Sequence, residues 1–205
     1  MKLRHLESAL SQVDPFDSPK IELEQIPTSA LIASRMIFTA ANTYEDISGC
    51  AVGDFGCGPG ILSIGSSLMG SAYNIGFDID PEALETAWVN IRKLEVNDTV
   101  DLVQANLEQL DIRSDFDTIV MNPPFGTRKA GIDTLFLKKA LNSSNVVYSL
   151  HKTSTREHFI KFAQNNGLNI EVIAELRYDI PKTFKYHKEK SKDVFVDLYR
   201  FTHKN

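Results

Sequence analysis

The sequence predicts an α/β protein: a seven-stranded, mostly parallel sheet with helices on both faces and an antiparallel C-terminal strand. Three observations predict it. Short apolar, β-branched runs alternate with helical stretches along most of the 205 residues, the pattern of a parallel sheet covered on both sides. Cys50-Ala51-Val52-Gly53-Asp54-Phe55 runs directly into Gly56-Cys57-Gly58-Pro59-Gly60 and then Ile61-Leu62-Ser63-Ile64-Gly65, which reads as strand, glycine-rich turn and helix N-terminus. The last two apolar runs are joined by a loop without a helix, so they pair antiparallel.

In order, Leu3, Leu6 and Leu10 fall on one face of a short helix over 3–12. Asp14-Pro15-Phe16-Asp17-Ser18-Pro19 breaks it. Thr28 is placed to cap a helix running to about residue 47. Strand 51–55 and helix 61–69 follow, then strand 73–78 and a helix over 81–94 opened by Asp80-Pro81. Next come strands 100–104 and 117–121, helix 132–141, strand 145–150, helix 153–166 and strands 169–178 and 193–202. Trp88 and most phenylalanines read as core. No repeat or linker interrupts the chain, so 1–205 reads as a single domain.

Composition narrows the function classes. Apolar residues at 42% and charged residues at 24% fit a soluble globular domain. The N-terminus has no apolar signal-like core, and no apolar run is long enough for a bilayer, so no membrane partner is expected. Cys50 and Cys57 are the only thiols; they suit a reducing compartment, and a zinc site would need more ligands, so no metal is expected. With a net charge of −5, the overall field does not attract nucleic acid. An RNA substrate would need a local basic surface or a partner. Residues 182–192 offer one: five lysines against one glutamate, interleaved with Phe184, Tyr186 and His187. The same stretch also reads as an ordinary solvated loop.

Two sites carry chemistry. Phe116-Asp117-Thr118-Ile119-Val120-Met121 runs into Asn122-Pro123-Pro124-Phe125, placing that tetrapeptide at the C-terminal end of a strand, where open α/β sheets hold ligands. Two prolines fix φ and remove two N–H donors. An amide, a rigid carbonyl and an aromatic face together suit a planar substrate bearing an NH2 group. A proline-rich turn over a buried Phe is the other reading. Beyond the glycine turn, Tyr73-Asn74-Ile75-Gly76-Phe77 ends at Asp78, where a carboxylate can hold both hydroxyls of a ribose. The glycine spacing is GxGxG rather than the GxGxxG of dinucleotide binders, and no second nucleotide-binding half follows. Both points argue against an NAD-dependent dehydrogenase.

Taken in order, Asp54 with Gly56–Gly60, then Asp78, then Asn122–Phe125 resembles the class I S-adenosylmethionine-dependent methyltransferases, in their amino-methylating branch. Gln25-Ile26-Pro27-Thr28, Gly76-Phe77-Asp78-Ile79-Asp80, Met121 to Thr127, Tyr148-Ser149-Leu150-His151-Lys152 and Ala174-Glu175-Leu176-Arg177-Tyr178-Asp179 look like the methyltransferase-like protein 5 family of ribosomal-RNA adenine-N6 methyltransferases. The likeness spans nearly the whole chain.

That resemblance implies a Rossmann-like core over 49–205 behind a helical extension and cofactor lid over 1–48. The implied cofactor is S-adenosylmethionine. Its methionine part would lie on Gly56, Cys57, Gly58, Pro59, Gly60 and Ile61, with the backbone N–H groups turned toward it. Asp78 would hold the ribose, with Ile79 beside it. Asn106 and Leu107 would take the adenine, and Gln25 and Thr28 would form the lid. The superfamily usually carries Asp where Asn106 stands; the amide oxygen accepts without charge, a modest loss of affinity. Asp54 either lies near the cofactor amine or simply ends its strand.

Asn122, Pro123, Pro124 and Phe125 are implied to be catalytic, with Asn122 also bordering the cofactor. The Asn122 side chain and Pro123 carbonyl would accept both N6 hydrogens of a flipped-out adenine, and Phe125 would stack on it. The activated methyl is the cofactor's own chemistry, so the protein's share is alignment. Phe125, Lys152, Arg177, Lys182, Lys185, Tyr186, His187 and Lys188 are the expected substrate contacts. His151, Lys152 and Arg156 would meet substrate phosphates, or else cap the next helix or stay in solvent, and Arg177, Tyr178 and Asp179, at the end of the following strand, group with substrate binding.

The implied product is N6-methyladenosine in small-subunit (18S) ribosomal RNA, made in the nucleus, including the nucleolus, and the cytoplasm. The implied partner is a small zinc-ribbon activator subunit in a heterodimer, docked at edge strand 100–104. Methylation of a protein glutamine amide fits the same tetrapeptide, and a non-catalytic, cofactor-bound scaffold is the third reading.

Overall fold

A computed structural model describes residues 1–110, 112, 116–178 and 194–204. Seven strands form one sheet: β1 (Ala51–Phe55), β2 (Tyr73–Asp78), β3 (Val100–Gln104), β4 (Phe116–Met121), β5 (Ser144–Lys152), β6 (Leu168–Tyr178) and β7 (Val194–His203). Their order across the sheet is β3-β2-β1-β4-β5-β7-β6. β1 pairs in parallel with β2 and β4, β2 with β3, and β4 with β5. β7 runs antiparallel between β5 and β6, the arrangement expected of two strands joined without a helix.

The chain thus starts in the middle, winds out to β3, then returns to the other side of β1. That reversal opens a crevice at the C-terminal ends of β1 and β4. Asp54 lies level with Val120 across the two strands, so the glycine turn after β1 and the Asn122 tetrapeptide after β4 emerge side by side.

Alternation along the strands feeds two cores. Val52 and Val120 point into one with Leu6, Leu10, Ile37 and Ile64. Phe55, Ile119 and Met121 point into the other with Phe77, Leu137 and Phe159. β1 is buried at every position, as a central strand covered on both faces must be.

The helices are α1 (Leu3–Leu10), α2 (Ala30–Asn42), α3 (Ile61–Leu68), α4 (Pro81–Lys93), α5 (Ile132–Ser143) and α6 (Arg156–Asn165). Asp80 caps α4, accepting from the Glu82 N–H at 3.1 Å, with Pro81 in the first turn.

Several expectations shift. Ser29, not Thr28, caps α2, because the Thr28 hydroxyl is engaged elsewhere, and the helix ends at Asn42. A 3-10 turn over Thr153–Thr155 delays α6 to Arg156. Trp88 is not core: it is 45% exposed. The buried positions of α4 are Ala83, Ala87, Asn90 and Ile91, and Trp88 falls outside that stripe. Among the described residues no helix is long and apolar enough to cross a membrane.

Candidate active site

The glycine turn is built on left-handed backbone. Gly56, Gly58 and Gly60 have φ of 73°, 51° and 86°, which accounts for the GxGxG spacing. The Gly56 and Cys57 N–H groups both donate to the Phe77 carbonyl, at 2.8 and 3.0 Å, and Gly60 donates to the Cys57 carbonyl at 2.9 Å. Gly58 donates to Asp78 Oδ2 at 2.8 Å. With Pro59 having no N–H, every donor of the turn is tied to the protein. The expectation that the Gly56 to Gly60 N–H groups face a ligand is overturned: those of Gly56, Cys57 and Gly58 brace the turn against β2, and that of Gly60 closes the turn on itself.

Directly beneath lies Asp54, 1% exposed. Its Oδ2 accepts both the N–H and the hydroxyl of Ser63, in the first turn of α3, at 3.0 and 2.7 Å. Oδ1 is buried without a partner. Burial pushes this carboxyl up to about 7; the two Ser63 bonds oppose the rise and the Asp78 carboxylate adds to it.

Asp78 is held at both ends, Oδ2 by Gly58 and Oδ1 by the Asp80 N–H at 2.9 Å. Burial raises its carboxyl, against the pull of those two amides. Above it passes the segment between α1 and α2, pinned at several points. Gln25 Nε2 donates to Asp80 Oδ2 at 2.7 Å, and Gln25 Oε1 accepts from the Lys20 N–H at 2.7 Å. Glu24, itself left-handed at φ 52°, accepts the Arg128 N–H at 2.7 Å. Asn90 exchanges two bonds of 2.9 Å with the Asp14 backbone and donates to the Pro59 carbonyl at 3.0 Å. Gln25 therefore acts as a rivet of this strap, both polar ends engaged by protein.

Asn122 shows the most constrained geometry. Its Nδ2 donates to Thr28 Oγ1 at 2.9 Å and to Tyr178 Oη at 2.8 Å. Tyr178 Oη donates in turn to the Pro27 carbonyl at 3.0 Å. Asn122 Oδ1 is buried and has no partner. Phe125 packs edge-on against Tyr178, with ring centroids 6.1 Å apart, and Lys152 Nζ lies 5.8 Å from the Phe125 centroid.

One cavity joins these parts. Gln25, Thr28, Asp54, Gly56, Cys57, Gly58, Pro59, Ile61, Asp78, Ile79, Asn106, Leu107 and Asn122 to Phe125 all line it. Gly60 does not; it caps α3 behind the turn. Asn106 Oδ1 accepts the Glu108 N–H at 3.0 Å, so its amide is oriented by its own turn. Phe16, Glu24, Arg128 and Lys129 also line the cavity and were missed in the sequence. Arg128 and Lys129, directly after the tetrapeptide, had a readable signal in their charge; Lys129 pairs with Glu108. Phe16 and Glu24 had none, since only the folded strap brings them here.

The expected substrate contacts separate. Lys152 reaches Phe125, whereas Arg177 lies exposed on β6 opposite Phe195. Lys182, Lys185, Tyr186, His187 and Lys188 lie outside the described residues. His151 is not a phosphate ligand: it is fully buried, tilted over Phe159 at 3.8 Å, with Nε2 2.8 Å from Ser149 Oγ. Burial, helped by His158, pushes its pKa down to about 3, so it is neutral. Arg156 is drawn inward by Asp197, with bonds of 2.7 and 2.6 Å, and by Glu175 at 2.7 Å.

The ribosomal protein L11 methyltransferase (PrmA) family model matches residues 35–123, the stretch from α2 to the first proline of the tetrapeptide. Likeness over the whole chain lies elsewhere. The rRNA N(6)-adenosine-methyltransferase METTL5 of Danio rerio is 48% identical, over 98% of this chain and 99% of its own. Mettl5 of Drosophila melanogaster is also 48% identical, over 98% of this chain and 96% of its own. Among solved structures, PH1948 of Pyrococcus horikoshii superposes with a TM-score of 0.87 at 32% identity, covering 99% of this chain and 97% of that one. The match runs through the strap, the glycine turn, the tetrapeptide and β6 alike, and on that basis the chain belongs to the METTL5 family of rRNA N6-adenosine-methyltransferases.

Proposed function

We propose that this chain transfers the methyl group of S-adenosylmethionine to N6 of an adenine in small-subunit (18S) ribosomal RNA. One observation carries the reading: both Asn122 Nδ2 hydrogens are used by Thr28 and Tyr178, while the buried Oδ1 has no donor. A buried acceptor left without a hydrogen bond is unfavourable by roughly 1–3 kcal/mol, so the site is complete only with an N–H donor bound. An adenine amino group brings two. Asn122 Oδ1 would take one and the Pro123 carbonyl the other, turning the nitrogen lone pair away from the ring. Phe125 forms the stacking wall for a base taken out of its helix.

Another buried oxygen without a partner, Asp54 Oδ1, fits the cofactor's ammonium end. Asp54 and the glycine turn would hold the methionine part, Asp78 the ribose, and Asn106 with Leu107 and Ile79 the adenine. Gln25 and Thr28 belong to the strap that covers them. When bound, S-adenosylmethionine would supply a methyl carbon on a sulfonium, whose S–C bond would break as the N6–C bond forms, leaving a neutral thioether, and the methylated amine would give its extra proton to water. The protein needs no general base and contributes alignment and exclusion of solvent.

Arg128, Lys129 and Lys152 give an acidic chain local positive charge beside the tetrapeptide. The small zinc-ribbon activator subunit is proposed to dock along β3, which ends the sheet. On that edge strand Val103 is 38% exposed, an apolar position open to strand addition. Such a heterodimer would work where ribosomes are made and used, in the nucleus with its nucleolus and in the cytoplasm.

The test is transfer of labelled methyl to purified ribosomal RNA, with and without the activator subunit, followed by nucleoside analysis. Label recovered as N6-methyladenosine is the expected result. Label on protein alone would replace this reading with glutamine-amide methylation, and cofactor binding without any label would leave a scaffold.

A further inference from the structure

We infer that Tyr178 is a positioning residue: its phenol oxygen fixes which end of the Asn122 amide faces the acceptor amine, and so governs the rate of methyl transfer. The inference rests on the proposed use of Asn122 Oδ1 as the acceptor of an N6 hydrogen.

A primary amide has two nearly isosteric ends. Rotating it by half a turn exchanges an acceptor for a donor at almost the same point in space. For Asn122 that exchange would aim an N–H at the N–H of the incoming amine, replacing attraction with repulsion at the reacting nitrogen. Some feature of the protein must forbid it.

Thr28 cannot do so alone. Its hydroxyl both donates and accepts, and can rotate to serve either end of the amide. Tyr178 has no such freedom. Its single phenolic hydrogen donates to the Pro27 carbonyl at 3.0 Å, and a carbonyl can only accept, so the direction of that bond follows from chemistry. What Tyr178 turns to Asn122, at 2.8 Å, is therefore a lone pair, which only the NH2 end can satisfy. Tyr178 is 1% exposed, which leaves its phenol no water as an alternative partner. Burial also pushes the phenol up to about 12, despite Thr28 and Asn122, so the hydrogen stays in place across the working range of pH.

The sheet explains why this residue does the work. Tyr178 closes β6, which is separated from β4 by β5 and β7, yet its side chain reaches back across the strand ends to the residue that follows β4. It lies outside the cavity lining, behind Asn122 and edge-on to Phe125.

Tyr178→Phe removes the oxygen and keeps the ring against Phe125. In single-turnover transfer to ribosomal RNA, with the activator subunit present, its rate should fall roughly 10- to 100-fold, the scale of losing one oriented polar contact at a reacting centre. Affinity for S-adenosylmethionine by calorimetry and for RNA by filter binding should stay within about twofold of the parent. Thr28→Val, which leaves the phenol in place, should lose less rate than Tyr178→Phe.

A parental rate for Tyr178→Phe overturns the inference. So does a loss of cofactor affinity matching the loss of rate, which would mark a packing role, or a larger defect in Thr28→Val. Asn122→Ala, run beside them, separates the two levels. If it keeps its rate, the acceptor reading of Asn122 fails and takes this inference with it. If it is dead while Tyr178→Phe is fully active, only the positioning role fails.

Discussion

Ser63 holds one oxygen of Asp54 with both its amide and its hydroxyl, at 3.0 and 2.7 Å, and the other oxygen is buried with no partner. Half of this carboxylate is anchored to the first turn of α3 and half awaits a donor. With its pKa lifted to about 7 by burial, the group is near half ionisation at neutral pH when no ligand is present. A ligand that brings a cation to the free oxygen binds the ionised form and lowers the pKa of the complex. Affinity is then full above about pH 7 and falls below it, approaching tenfold per pH unit. Calorimetric titration of S-adenosylmethionine at several pH values should show that slope, and Asp54→Asn should flatten it; a flat profile for the parent would sink the assignment. In the free protein the linkage has the opposite sense for stability. A carboxyl with a raised folded pKa binds protons more tightly when folded, so its penalty grows as pH rises from about 4 to about 7.

A second prediction concerns the strap. A Cβ added at Gly58 would lie 2.6 Å from Phe16 Cζ, at a φ of +51°. Gly58→Ala therefore meets two obstacles, a left-handed backbone that costs about 1–2 kcal/mol and a clash with the ring that covers the turn. Phe16 cannot retreat freely, because Asn90 fastens Asp14 to the Pro59 carbonyl. Gly58→Ala should lower the melting temperature and weaken cofactor binding. Adding Phe16→Ala should remove the clash and leave the strain, so the double variant should be less destabilised than the sum of the two single changes. Strict additivity in thermal melts would show that the two residues do not press on each other.

These pairs also show what was legible beforehand. Alternating apolar runs, Asp80-Pro81 and the glycine spacing are local signals, each set by neighbours in the chain, and they account for the succession of strands and helices and for both loops over the crevice. Asn122 was visible because it follows a strand and precedes two prolines. Its partners were not. Thr28 and Tyr178 meet it only after the strap and β6 have folded over the crevice; the sequence groups Tyr178 with substrate binding, and nothing local to it points to Asn122. Thr28 looked like a helix cap because a threonine before an apolar helix usually is one; Ser29 took the cap and freed it. The glycine turn misled in the other direction. Its N–H groups suggested ligand donors, and β2 takes those of Gly56, Cys57 and Gly58 while the turn itself takes that of Gly60.

Arg156 gives a third prediction, and it separates structure from RNA binding. Asp197 has no exposed side-chain surface, and Arg156 meets both of its oxygens. Burial pushes the Asp197 carboxyl up, but bonds from Arg156, Tyr199 and Thr153 outweigh it and hold the group below its usual range. Arg156→Ala strands a buried carboxylate and should lower the melting temperature. The stabilisation exists above the ordinary carboxylate pKa and is lost as pH falls through the lowered one, so the gap between parent and variant should narrow in acid. RNA affinity should change little. A variant that melts like the parent but binds RNA weakly would return Arg156 to the phosphate-binding surface.

Asp78 supplies the last and most discriminating substitution. Each of its oxygens receives a backbone N–H, from Gly58 and from Asp80, so the carboxylate clamps the glycine turn to the end of β2 while it faces the cavity. Asparagine has the same shape but one acceptor end. Whichever way it is turned, an NH2 meets one of those two N–H groups, and one clamp is replaced by a repulsion. Asp78→Asn should therefore be no milder than Asp78→Ala, each weakening S-adenosylmethionine by about tenfold or more, since the turn moves as well as the ribose contact. Were Asp78 only a ribose ligand, the amide oxygen could still accept one hydroxyl and Asn would clearly outperform Ala. Calorimetry on the two variants decides between a carboxylate that merely touches the ligand and one that also holds the turn in its binding shape.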